Sequence, residues 1–200
     1  MHDYDLLIVG GGAAGLMAAI WAGRMQPGAA IAVLDGAARL GAKILVAGGG
    51  RCNVTHDQVD EHAYAGSTPA AIRKVLRRFD VAQTIAFFAE LGVPLKREET
   101  GKLFPTSDSA RTVLDALLVA ARGAGAELLH PRRVEQVART PQGFAVAGPW
   151  GQLAGARLIL ATGGKALPKS GSDGGGYRLA QALGHSLTPR IFPALVPLTL

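Results

Sequence analysis

Hydrophobic and polar positions fall into blocks along the chain, and the length of each block selects its element. Tyr4 to Val9 is a short apolar run ending in glycines, which predicts a strand buried on both faces. The Ala-rich stretch from Ala13 to Met25 reads as a helix stopped by Pro27 and Gly28, and Ile31 to Leu34 as a second buried strand closed by Asp35 and Gly36. These three pieces predict a βαβ unit with a right-handed crossover, hence a parallel sheet.

From Gly41 to Thr55 the chain reads GAKILVAGGGRCNVT, with too many glycines for a regular element, so a loop is expected. Helices are predicted over Pro69 to Arg78 and Val81 to Gly92. Thr68 before Pro69 is an N-cap with proline at the first helical position, and Asp80 with Gln83 forms a capping box. A third helix, Ala110 to Gly123, is capped by Ser107 or Asp108 and carries Val113, Leu114, Leu117, Leu118 and Ala121 at helical spacing. The period then changes. Glu127 to His130, Val134 to Arg139, Phe144 to Ala147 and Leu153 to Ala154 read as short strands separated by turn residues, with a β-meander opening at Val134, and Arg157 to Ala161 as another buried strand ending in glycine. A helix from Gly174 to Gly184 precedes an extended stretch punctuated by Pro189, Pro193 and Pro197. The final PALVPLTL is apolar with no polar tail, as if the chain stopped on entering a strand, so more protein is expected beyond Leu200.

Composition narrows the function classes. With 48% hydrophobic and 18% charged residues the chain is a folding sequence, not a disordered one. Its single cysteine excludes an internal disulfide framework and a catalytic dithiol pair, and the five histidines show no ligand spacing, so no metal site is expected. Residues Leu6 to Gly23 carry no charge, at the lower edge of bilayer-spanning length. Asp3 and Asp5 stand where a signal peptide would be positive, and the Gly/Ala-rich turn interrupts the run, so no membrane segment is expected. Absent targeting signals and sparse cysteine suggest a cytoplasmic location. The net charge of +6 raises a nucleic-acid or anionic-lipid partner. Its densest cluster, Arg73, Lys74, Arg77 and Arg78, lies beside Ile72, Val75, Leu76 and Phe79. That pattern reads as the solvated face of an amphipathic helix, and with no RNA- or DNA-binding motif a nucleic-acid partner is not expected.

The strongest chemical signal is Gly10, Gly12 and Gly15, with Ala13 and Ala14 between, placed after a strand and opening a helix. The first glycine permits a tight turn, the second lets a pyrophosphate approach the backbone, and the third lets helix and strand touch. Asp35 closes the second strand where an acid would accept hydrogen bonds from a ribose hydroxyl, the alternative being a loop cap. A carboxylate there disfavours NADP, leaving NAD and FAD, which the glycine motif does not separate. The meander ahead of Arg157 to Ala161, and the Ala161, Thr162, Gly163, Gly164 run that ends that strand, favour FAD.

The loop GAKILVAGGGRCNVT, the segment ETGKLFPTSDSARTVLDAL and the stretch ATGGKALPKSGSDGGGYRLAQALGH leading into PALVPL resemble the BaiN/YhiN-like family of FAD-dependent oxidoreductases, within the glutathione-reductase-type flavoproteins. The resemblance implies an α/β fold: a Rossmann-like FAD-binding domain with a parallel sheet, a β-meander crossover and extra helices, spanning residues 1–190 and truncated before its C-terminal return. Residues 191–200 would start a β-rich inserted domain. It further implies that Gly10, Gly12 and Gly15 cradle the FAD pyrophosphate, Asp35 holds the adenosine ribose and Lys43 lies near the nucleotide. Gly49, Gly50, Arg51, Cys52 and Asn53 would run along the flavin, the main chain of Val134 would meet the adenine, and Thr162, Gly163 and Gly164 would approach the phosphates. Asp173 is displaced from the family's Gly-Asp-Gly position, which leaves its role open.

Arg51 is the catalytic candidate: it either stabilises negative charge on reduced flavin or a carboxylate substrate, or hydrogen-bonds loop carbonyls. Cys52 reads as a small buried loop residue, and His56 and His62 as surface histidines without partners. The leading expectation is an oxidoreductase reducing an organic small molecule with electrons from NAD(P)H. An FAD-containing RNA-binding protein and a nonenzymatic nucleotide-binding fragment are the rival readings.

Overall fold

A computed structural model describes residues 3–193. Its elements in chain order are β1 (Tyr4–Val9), α1 (Ala13–Met25), β2 (Ile31–Leu34), α2 (Ala42–Val46), β3 (Thr55–His56), α3 (Pro69–Leu76), α4 (Val81–Glu90), β4 (Leu95–Arg97), β5 (Lys102–Pro105), α5 (Ala110–Gly123), β6 (Ala126–Leu129), β7 (Gln136–Thr140), β8 (Gly143–Gly148), β9 (Gly151–Leu160) and α6 (Gly175–Ala182). Two compact units emerge, one comprising Met1–Lys43 and Leu117–Leu200, the other Ile44–Ala116.

The first unit is a six-stranded sheet in the order β6-β2-β1-β9-β8-β7. β6, β2, β1 and β9 run parallel, and β8 and β7 continue antiparallel as a meander. The alternation of β1 explains its layers. Leu7 and Val9 join Ala32, Leu34, Val134, Val137, Val146 and Leu179 in one core, while Ile8 points the other way toward Gly15 of α1. All four residues of β2 are buried, as its unbroken apolar run predicts. Burial of each large side chain such as Leu7 or Leu34 contributes about 1.5–3 kcal/mol. The Rossmann-type fold is therefore present, with boundaries for β1, α1, β2 and α5 where the hydrophobic pattern places them.

Several local expectations are corrected. The strand expected at Glu127 to His130 is β6, shifted by one residue to Ala126–Leu129, and it pairs in parallel with β2. The two strands expected at Leu153 to Ala154 and Arg157 to Ala161 are one ten-residue strand, β9. Gly155 does not break it, because that glycine clears the Leu7 side chain, 2.6 Å from where a Cβ would stand. Within the stretch expected to be a loop, Ala42–Val46 forms helix α2, since no glycine falls between Gly41 and Gly48. The meander's first strand opens at Gln136, two residues after Val134.

The second unit holds a three-stranded antiparallel sheet, β3-β5-β4, that the sequence reading lacked. Its helices start as their caps predict. The Thr68 hydroxyl accepts from the Ala71 amide at 3.3 Å, and Asp80 and Gln83 exchange both bonds of the capping box. α5 differs: the Asp108 carboxylate is drawn to Lys96 and Arg51, and the Ser107 hydroxyl donates to Thr112. The β-rich domain start expected at 191–200 lies, from residue 194 on, outside the described residues. Among the described residues no helix is long and apolar enough to cross a membrane.

Candidate functional site

In the first unit, β1 is followed by Gly10, whose amide donates to the Leu34 carbonyl, whose φ is +112° and whose Cβ would lie 2.4 Å from the Ala161 carbonyl oxygen. One turn into α1, a Cβ on Gly15 would stand 1.8 Å from the Gly10 carbonyl oxygen, so helix and strand meet backbone to backbone. Gly12, the N-cap, is different: a Cβ there would meet nothing within 4 Å. No side chain caps α1 among the described residues, its first turn has no acid, and Ala13 and Ala14 are exposed and small. The free amides and the positive end of the helix dipole thus face an open space, which is the physical requirement of an anion cradle.

Asp35 sits beside that cradle. Its Oδ2 accepts from the Gly11 amide at 2.7 Å and its Oδ1 from the Ala37 amide at 2.8 Å. The carboxylate therefore does cap the loop and tie it to the glycine turn, and each oxygen keeps a further lone pair for a hydroxyl donor.

The chain leaving β9 forms a second glycine cluster. Ala161 donates to the Val9 carbonyl at 2.8 Å, and Gly164 accepts from the Gly174 amide at 3.1 Å. A Cβ on Gly163 would lie 2.7 Å from the Ser172 hydroxyl and 3.7 Å from Lys43 Nζ, so the Lys43 ammonium reaches this cluster. Gly176 lets α6 abut Thr162, whose Oγ1 would be 1.8 Å from an added Cβ. Asp173 is exposed and is held through both of its oxygens. Its Oδ1 accepts from the Gly175 amide at 2.9 Å and its Oδ2 from Arg133 at 2.7 Å, and these two partners hold its carboxyl below the usual carboxylate range. Val134 buries its side chain in the core, while its main-chain amide and carbonyl have no hydrogen-bond partner among the described residues.

In the second unit the loop after α2 turns through Gly48, Gly49 and Gly50 at φ +57°, +67° and +87°, with Cys52 also left-handed at φ +62°. Gly48 is required sterically, because a Cβ would sit 2.6 Å from the Asn53 amide and 2.8 Å from the Phe104 ring. Gly49, Gly50 and Asn53 are exposed. Arg51 donates to Glu98 at 2.5 Å, lies 3.6 Å from Asp108, and stacks 4.1 Å above the Phe104 ring. Of the two roles weighed for Arg51, hydrogen bonding to loop carbonyls is replaced by this carboxylate and ring clamp. Lys96 closes the network on Asp108. Glu98, Asp108 and Phe104 escaped sequence reasoning because they lie far along the chain from Arg51, 47 residues in the case of Glu98.

Cys52 is buried, and burial pushes its thiol pKa up, which agrees with a small loop residue and not a nucleophile. His56, expected to lack partners, has them. Its Nε2 meets the Thr100 carbonyl at 2.9 Å, and its Nδ1 lies 3.1 Å from the Gln58 amide and 2.9 Å from Asp57. His62 is exposed as expected, but its Nε2 lies 3.9 Å from the Glu61 carboxylate. No cluster able to hold a metal occurs among the described residues. The clamp makes a prediction: Arg51→Ala should speed modification of Cys52 by a thiol reagent several-fold. An unchanged rate would mean that glycine geometry alone holds the loop closed.

The sequence pattern of the HI0933-like protein Rossmann domain matches residues 4–191. The 3-dehydro-bile acid delta(4,6)-reductase of Clostridium scindens is 40% identical over 96% of this chain and 46% of its own length. The ribosomal RNA dihydrouridine synthase of Escherichia coli is 32% identical over all of this chain and 49% of its own length. That second name weakens the expectation that nucleic acid plays no part. The chain thus spans about half the length of the curated relatives it matches. Among solved structures, 3-ketosteroid-delta4-(5alpha)-dehydrogenase from Rhodococcus jostii shares the fold at a TM-score of 0.67 and 18% identity, over 93% of this chain and 55% of that one. On the match over residues 4–191, the chain belongs to the HI0933-like protein family through its Rossmann domain.

Proposed function

We propose that the chain carries the FAD-binding domain of an oxidoreductase that reduces a carbon–carbon double bond conjugated to a carbonyl, with NAD(P)H as the electron donor. The observation that carries this reading is the open, uncapped start of α1 at Gly12, beside the Gly10–Gly15 contact and Asp35. In it Gly10, Gly12, Ala13, Ala14 and Gly15 hold the pyrophosphate through backbone amides, and Asp35 accepts from the adenosine ribose. Lys43, Thr162, Gly163 and Gly164 approach the phosphates, and the unpaired main chain of Val134 meets the adenine edge. Asp173 serves by fixing Arg133 and the start of α6.

By the family resemblance, Gly49, Gly50, Arg51, Cys52 and Asn53 border the flavin. Bound FAD would supply the electron transfer, while the protein orients the rings and shapes the electrostatics around them. Arg51, neutralised by Glu98 and Asp108, is a positioning residue that sets the loop and presents no free charge. Buried Cys52 keeps its proton and takes no part in thiol chemistry.

The substrate class follows from what the two curated relatives' names have in common. A 3-oxo group with 4,6-unsaturation and the uracil ring both hold an alkene made electron-poor by a conjugated carbonyl, and each reduction adds two electrons and two protons across it. A small enone is the first reading. A uracil base in RNA is the second, favoured by the dihydrouridine synthase relative and by exposed cations on α3.

The test is an absorption spectrum of the purified protein, with heat release to identify the cofactor, followed by anaerobic mixing with NADH or NADPH and then an enone or a uridine-containing RNA. Bound FAD, bleached by the nicotinamide and reoxidised by one acceptor, is the expected result. A colourless protein that takes up no added FAD, both as this chain and at the full length of its relatives, would overturn the reading.

A further inference from the structure

Helix α3 has no buried residue, and no acid lies between Glu61 and Asp80. Lys74, Arg77 and Arg78 are exposed and have no ionic partner among the described residues, whereas Arg73 is held by Glu61. Ala71, Lys74, Val75 and Arg78 fall at helical spacing on one outward stripe, where Val75 is 70% exposed between the two cations. Beside α3 opens a cavity of about 390 Å³ lined by Thr55, Tyr64, Arg73, Leu76, Arg77 and Thr84, among others. That volume is within the roughly 300–1,000 Å³ of small-ligand sites. Arg77 belongs to both the cavity wall and the row of free cations.

We propose that α3 and this cavity form a contact for single-stranded RNA, with one unstacked base in the cavity and the flanking phosphates along Lys74, Arg77 and Arg78. The proposal deepens the RNA reading of the substrate and rests on it. Its chemistry is that of single-strand recognition. Tyr64, 53% exposed, offers a ring on which a base can stack, Leu76 offers apolar contact, and the Thr55 and Thr84 hydroxyls, whose hydrogens go to the His56 and Asp80 carbonyls, can accept from a base edge. Of the carboxylates at the cavity, Glu61 is paired with a cation while Asp60 and Asp80 accept only from amides and keep their charge, so the neutral base faces the cavity and the phosphates follow the exposed cations. Glu61 is bound to Arg73, which with a backbone amide holds its pKa down to about 2, Asp80 accepts from Gln83, and Asp60 accepts from the His62 amide. A lipid surface fits less well, because eight helical residues with one protruding aliphatic side chain offer little area to bury in a bilayer.

The experiment is fluorescence anisotropy of a labelled uridine-rich single strand at low and physiological salt. The triple variant Lys74→Ala, Arg77→Ala, Arg78→Ala should bind at least about tenfold more weakly, with a log–log salt slope shallower by about 2, since each phosphate contact on a single strand contributes about 0.7. Tyr64→Ala should weaken binding about tenfold at every salt concentration with the slope unchanged, and Tyr64→Phe should restore it. FAD content and melting temperature are read on each variant. Equal affinity and slope for the triple variant and the parent would overturn this surface while leaving the RNA reading intact. A parent that holds FAD but binds no RNA at low salt would overturn both the surface and the RNA reading and leave the oxidoreductase standing. Binding to phosphatidylserine vesicles without RNA binding, or duplex RNA bound as tightly as the single strand, would also overturn it.

Discussion

Replacing Gly15 by Ala is expected to destabilise the protein by about 3 kcal/mol or more and to release any bound dinucleotide. In most helices the same change is favourable, by up to about 1 kcal/mol, because alanine loses less backbone entropy. Here the sign reverses. The added methyl would stand 1.8 Å from the Gly10 carbonyl oxygen and 3.0 Å from its carbon, and both belong to backbone that cannot swing aside as a side chain could. Gly10 is itself anchored, by its amide to Leu34 and by its contact with Ala161, so relief requires α1 to move off β1. Overpacking typically costs about 1–3 kcal/mol, and a backbone collision belongs at the upper end of that range or beyond it. Urea unfolding of Gly15→Ala beside Gly123→Ala separates the causes. At Gly123, at the end of α5, an added Cβ meets nothing within 4 Å, so that variant should be neutral or slightly stabilised. Matching midpoints for the two variants would show that the contact between α1 and the turn is soft.

The features legible in the sequence are those whose cause is local. β1, α1, β2 and α5 announce themselves through unbroken apolar runs or 3.6-residue periodicity, and the caps at Thr68 and Asp80 depend on residues three positions away. The glycine turn is legible for the same reason: strand, turn and helix are contiguous. Features set by distant partners are hidden. β6 is legible as a short strand, but its parallel pairing with β2, far back along the chain, leaves no local mark. Strands of two to four residues such as β3, β4 and β5 are too short to show an alternation. The clamp on Arg51 joins residues from three separate segments, and no pattern around Arg51 announces Glu98 or Asp108. The Arg133 partner of Asp173, whose role the resemblance leaves open, is hidden for the same reason, since it comes from a separate segment.

Gly12→Asp, unlike Gly15→Ala, should leave the fold intact while still removing the dinucleotide. Gly12 has an extended backbone at φ −82°, so an L side chain is accommodated, and its Cβ would enter open space. Aspartate is a preferred N-cap that differs from glycine by only a few tenths of a kcal/mol, so the melting temperature should stay the same or rise slightly. The new carboxylate would accept from the first-turn amides that the pyrophosphate needs and would place a negative charge within a few ångströms of the phosphates. Like charges about 4 Å apart repel by roughly 1 kcal/mol in water and about 4 kcal/mol at an effective dielectric constant of 20. With the loss of the amide contacts, affinity for FAD should fall by at least about 100-fold, measured by quenching of flavin fluorescence on titration. Gly12→Asn separates the two causes, because it occupies the same amides without the charge and should give an intermediate loss. If Gly12→Asp bound FAD as the parent does, the phosphates would not lie at the start of α1, and the nucleotide reading of the glycine turn would fall even though its geometry permits it.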